Sequence, residues 1–157
     1  MKKIGFLCTL FCIPIYGKSI VPFGKEIGSI KEYARGFEEN ENATQLQAFK
    51  NPLAGKNLNK LHNRDLILFY RGVAAFLQAQ KIPPKKQKRL QLLENAQKDI
   101  AQAEVSAVYL DLNFKTWSEK VLTQLIEESF QQKKYAACME YIELLPTHKK
   151  TETQWIL

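Results

Sequence analysis

Residues 125–146, LIEESFQQKKYAACMEYIELLP, decide how the rest of this chain is read. Apolar residues recur there at helical spacing on two successive segments. Leu122, Leu125, Ile126 and Phe130 mark one face; Tyr135, Cys138, Ile142 and Leu145 mark the next. The polar quartet Gln131-Gln132-Lys133-Lys134 separates them as a tight turn. Neither segment can bury its apolar face alone, so the two are expected to pair as a helical hairpin and to need a further neighbour. Leu125, Phe130, Tyr135, Ile142 and Leu145 are expected to face one another, each nearly buried.

Outward from this hairpin the same periodicity continues. Residues 66–80, LILFYRGVAAFLQAQ, are apolar almost all the way round, which for a helix means burial on more than one side. The run is too short, and too interrupted by Arg71, to span a bilayer. Asn63 or Asp65 can cap its start, and Pro83-Pro84 end it because proline cannot continue a helix. Residues 85–104 predict a helix with Leu90, Leu93, Ala96, Ile100 and Ala103 on one face; 104–115 read as a short helix or a turn. Helices over 117–133 and 135–145 form the hairpin itself. Nearer the start, Ile27, Ile30, Tyr33, Ala34 and Phe37 predict a helix over 26–37, and Leu46 and Phe49 a shorter one over 43–50. A loop rich in Asn, Gly and Lys follows over 51–60. No segment reads as a strand, so the fold class is all-α.

The first 19 residues have the three parts of a secretory signal: Lys2 and Lys3, an apolar run from Ile4 to Tyr16, and Pro14 and Gly17 before the first polar residues. A cleaved signal over 1–19 predicts a periplasmic or secreted protein. Segments 20–60 and 61–157 then hold the N-terminal helices with their loop and the helical hairpins. Removing the signal takes Cys8 and Cys12, leaving Cys138 as a small core residue rather than half of a disulfide.

The hairpin pattern resembles tetratricopeptide repeats, units of about 34 residues marked by W-x2-L-G-x2-Y, A-x3-F and P. Leu122, Leu125 and Ile126 stand at the places of the repeat's W, L and G; Cys138 stands at its small-residue place, and Trp155 near the start of a next unit. In the earlier hairpin Leu68 and Gly72 match the W and G places, followed by Arg89, Leu93 and Ala96. Ile126 in place of glycine, Arg89 in place of the small residue and an early Pro146 depart from the pattern. Stacked antiparallel hairpins in an α-solenoid are what the resemblance implies; a plain helical bundle is the other reading of the same periodicity. The family's exposed row on the first helix of a repeat falls here on Lys120, Thr123, Glu127, Phe130 and Gln131, although Phe130 is also a core candidate. With Trp155, this row is the expected partner-binding surface. The equivalent row of the earlier hairpin, Leu66, Phe69, Val73, Phe76 and Leu77, is wholly apolar, so the N-terminal helix is expected to lie across it.

No catalytic constellation stands out. His62 and His148 sit in loops without metal-ligand spacing, Glu127-Glu128 reads as a solvated pair, and no glycine loop cradles phosphate. The sequence therefore predicts no enzyme, no metal and no cofactor. The net charge of +7 is modest, and the basic run 81–89, KIPPKKQKR, has no interleaved aromatic for base stacking, which argues against nucleic acid. Lys85, Lys86, Lys88 and Arg89 could make a weak contact with an acidic surface. The expected function is an exported, non-catalytic scaffold or adaptor binding a peptide or helix of a protein in the cell envelope. The alternative is the non-catalytic N-terminal module of a larger envelope enzyme or assembly factor. Gln154 to Leu157 read as the start of another repeat helix, so a longer parent protein is expected; a short protein that docks through its open edge is the competing reading.

Overall fold

Proline, glycine and polar turns cut the chain where the apolar periodicity lapses, and the computed structural model follows those cuts. It describes residues 22–40, 46–59, 61, 63–106 and 112–146. Among these residues there are five helices and no strand, packed against one another: α1 (Gly24–Asn40), α2 (Arg64–Gln80), α3 (Gln87–Ser106), α4 (Phe114–Gln131) and α5 (Tyr135–Leu144). The signal segment, residues 43–45 of the predicted 43–50 helix, both histidines and Trp155 lie outside the described residues, and 47–50 are turn and coil rather than the expected helix. At 104–115 the helix α3 runs on to Ser106, and α4 begins at Phe114, ahead of the predicted Trp117.

The near-continuous apolar run makes α2 the central helix. Eleven of its residues are buried, on all sides, from Ile67 to Ala79. It pairs with α3 across residues 81–86. Contacts at 79–89, 72–96 and 71–99 run in opposite sequence directions, so the two helices are antiparallel. Gly72 permits the closest approach: a Cβ there would lie 2.7 Å from Cγ1 of Ile100 and 3.0 Å from the Ala96 carbonyl oxygen. Asn63 occupies the start of α2 in a left-handed conformation, with φ of 60°, and its side chain makes no capping bond. The position was legible; the capping chemistry is absent.

Helix α4 packs mainly on α3 and also meets α2 through aromatic edges, Phe69 with Phe114 at 4.8 Å and Phe76 with Trp117 at 5.7 Å between ring centroids. Helix α1 lies on α2, as the apolar row requires. Ile27, Ile30 and Ala34 are buried, and Phe37 meets the edge of Phe76 at 5.6 Å. Residues 46–59 add Leu46, Phe49, Leu53 and Leu58 to the same core. The last helix stands apart. Leu122 and Ile126 of α4 form a second, smaller cluster with Cys138, Ile142 and Leu145, touched by the partly buried Tyr141 that also reaches the main core. Thus α4 has two apolar faces, one for the main core and one for α5.

Two expected core residues are corrected. Leu125, Ile142 and Leu145 are buried, although Leu125 belongs to the main core and not to the hairpin cluster it was expected to share with the other two; Phe130 is 39% exposed and Tyr135 is 56% exposed. They flank the turn, where few neighbours remain, and cover each other instead, edge to face at 5.8 Å.

Candidate functional site

At about 100° per residue, Lys120, Thr123, Glu127, Phe130 and Gln131 fall within one arc of about 100° on α4, opposite Leu125. Thr123, Glu127 and Gln131 are exposed, and the Thr123 hydroxyl donates back to the Glu119 carbonyl at 2.9 Å. Lys120 is placed differently. Its ammonium sits 3.8 Å from a Glu38 carboxylate oxygen and lies over the rings of Phe37 and Trp117 at 5.6 and 5.2 Å. Helix α1 therefore takes up the Lys120 end of the row, and the Thr123–Gln131 end stays open. Beside that open end, Phe130 and Tyr135 expose ring surface, and Met139, one turn along α5 from Tyr135, is 54% exposed. Among the described residues four of the five exposed large apolar side chains, with Leu144 the fourth, belong to this last hairpin.

The basic run needs one correction. Lys85, Lys86 and Lys88 are exposed, but Arg89 turns inward and is no surface cation. Its Nη1 donates to the Ala79 and Ile82 carbonyls, at 3.2 and 2.8 Å, where α2 has run out of its own donors. Its Nη2 donates to Oε1 of Gln124 at 2.7 Å, and its Nε lies 3.1 Å from Oε2 of Glu128 in an ion pair rather than an aligned hydrogen bond. Glu128 is corrected with it: Glu127 is solvated as expected, but Glu128 is buried. It also accepts from the Lys85 backbone N–H and from Nε2 of Gln132. These groups lock α2, α3 and α4 together rather than forming a reactive site.

The one cysteine among the described residues is withdrawn from reaction. Cys138 is buried, its Sγ 3.7 Å from the Ile126 carbonyl, and burial pushes its thiol above the usual range, away from the reactive thiolate. Among the described residues no cluster of His, Cys, Asp or Glu could hold a metal ion, and no helix is long and apolar enough to cross a membrane. A second site-like feature, a polar cleft beside the Arg71–Asp99 pair, was not foreseen from the sequence; it joins the loop at 51–59 to α2 and α3. No protein-family model, no curated protein and no solved structure matches the chain, so its own geometry carries the functional reading.

Proposed function

We propose that this chain is an exported, non-catalytic interaction module with tetratricopeptide-like stacking, which binds an amphipathic helix of a partner protein along the open end of α4. The carrying observation is the concentration of exposed apolar side chains, Phe130, Tyr135 and Met139, next to the open polar row Thr123, Glu127 and Gln131. A non-obligate interface has this composition, an apolar and aromatic centre with a polar rim. Support for stacking comes from helix direction. The contacts 69–114 and 76–117 make α2 and α4 run the same way, as the first helices of successive hairpins do.

Helix α1 indicates what this surface accepts. It presents an apolar stripe to α2 and a carboxylate, Glu38, to Lys120. A partner helix continuing along α4 would meet the apolar centre and the exposed Lys133 and Lys134, so it should carry aliphatic or aromatic anchors and acidic flanks. Export rests on Lys2, Lys3 and the apolar run that follows.

A photo-crosslinking residue at position 139, in cells that express the full chain, tests the reading, with position 88 as control. A discrete adduct from 139, absent from 88 and lost with Tyr135→Ser, is expected, and the captured segment should be an acidic amphipathic helix. No adduct from 139, or equal adducts from both positions, overturns it.

A further inference from the structure

Away from the α4 surface, the loop at 51–59 folds over α2 and α3 and encloses a cleft of 540 Å³, with Leu68, Ala75 and Leu92 among its lining residues. That volume lies within the range of sites for small ligands. The charges gathered there are unbalanced. Lys56, Arg64, Arg71 and Lys98 line the cleft, against one carboxylate, Asp99.

Its hydrogen-bonding capacity is unbalanced in the same sense. Both Asp99 oxygens are already used: Nε and Nη2 of Arg71 donate to them, each at 2.6 Å, and burial of Asp99 keeps the pair fixed. Asn51 and Asn57 spend their side-chain oxygens on loop N–H groups, those of Leu53 at 3.0 Å and Asn59 at 3.1 Å, which leaves each an NH₂ donor. Arg64 carries a buried Nε–H with no acceptor among the described residues. The charged groups of the wall are thus mostly donors, and a buried donor without a partner is costly. A ligand that suits it brings oxygen acceptors and negative charge. Among the described residues no aromatic side chain lines the cleft, which disfavours a stacked base or nucleoside.

We propose that this cleft binds a small ligand through an oxyanion, a carboxylate or a phosphate. Arg64 and Lys98 take the charge, and Arg71, held by Asp99, gives one wall its shape. This site lies on α2, α3 and the loop, and its occupancy is independent of the partner surface on α4.

Isothermal titration of the full-length protein at low ionic strength with inorganic phosphate, and separately with citrate, tests the proposal. Saturable one-to-one binding of at least one probe is expected, weakened about tenfold by Arg64→Gln or Lys98→Gln and unchanged by Lys88→Gln, which lies outside the cleft. Binding of phosphate alone assigns a phosphate-bearing ligand; tighter binding of citrate assigns a carboxylate. Should Arg64→Gln fail to fold, Lys98→Gln decides, because its side chain is exposed. No saturable binding of either probe overturns the site. So does binding that neither cleft substitution alters, or an equal loss with Lys88→Gln, which marks general charge attraction.

Discussion

Arg89 and Glu128 stand 3.1 Å apart with side chains only 13% and 3% exposed, so a pair 39 positions apart in the chain holds three helices in register. Removing one partner strands the other's charge away from water. Glu128→Ala is expected to lower the unfolding free energy by about 3–5 kcal/mol, whereas Arg89→Met with Glu128→Leu should recover most of it, because no charge is left unpaired. Urea unfolding of the two variants checks this; a Glu128→Ala protein within 1 kcal/mol of the parent, on the order of an exposed pair, refutes the lock.

The α2–α3 approach makes its own demand. A methyl group at position 72 meets the Ala96 carbonyl, which belongs to backbone and cannot swing aside, as well as Ile100. Gly72→Ala is expected to destabilise by roughly 1–3 kcal/mol, although alanine is the better helix former by about 1 kcal/mol. The double variant with Ile100→Ala should lose less than the sum of the two single losses, because the side chain that a methyl at 72 would meet is gone. A Gly72→Ala protein more stable than the parent would show that the helices can separate freely.

The last hairpin divides between buried and exposed apolar residues, and substitutions should sort accordingly. Leu125→Ala, at a fully buried position, is expected to cost about 2–5 kcal/mol through lost transfer energy and a cavity. Tyr135→Ala keeps only a half-exposed ring from packing on Phe130 and should cost about 1 kcal/mol or less. Equal losses in thermal unfolding would contradict the division.

Stability should also fall at alkaline pH. Burial raises the Tyr70 hydroxyl and the Cys138 thiol above their ordinary values. Burial likewise raises Tyr141, followed by the charges of Glu94 and Glu140 and a hydrogen bond with Glu94. Each group is neutral when protonated, so folding favours the protonated form. Their contribution is full below the ordinary values, about 8.5 for cysteine and 10 for tyrosine, and is lost as pH rises through the raised native values. Tyr141→Phe should flatten the decline of the urea midpoint between pH 9 and 11; an unchanged slope would remove Tyr141 from this account.

The helices were legible because their signals are local. Pro83-Pro84 after a long apolar run ends α2 at Gln80 as expected, and the Gln131–Lys134 turn splits α4 from α5 where it was placed. The placement of α1 on α2 was legible too, since an exposed row of Leu66, Phe69, Val73 and Phe76 is untenable in water. Arg89 and Glu128 escaped because a charge in a sequence is read as surface until a partner is found, and theirs lies on another helix. One signal was present: Arg89 falls at i−4 and i−7 from Leu93 and Ala96, in phase with the buried face of α3. The cleft was illegible for a different reason. Asn51, Arg64 and Lys98 come from three separate segments, each ordinary on a solvated surface, and only the tertiary fold brings their donors together.

Among the described residues helix α5 shares its small cluster with α4, and its further ties to the fold are few: Tyr141 packs on the main core and meets Glu94, and Lys134, just before the helix, reaches Gln87. Loss of that cluster leaves Phe69, Phe76 and Leu93 undisturbed in the main core. The ten residues of α5 can therefore melt as a unit while the remainder stays native, a partial opening below the global unfolding free energy. Its amide protons should exchange with solvent before those of α2, and each such opening uncovers the one buried thiol among the described residues, so the labelling rate of Cys138 clocks the event.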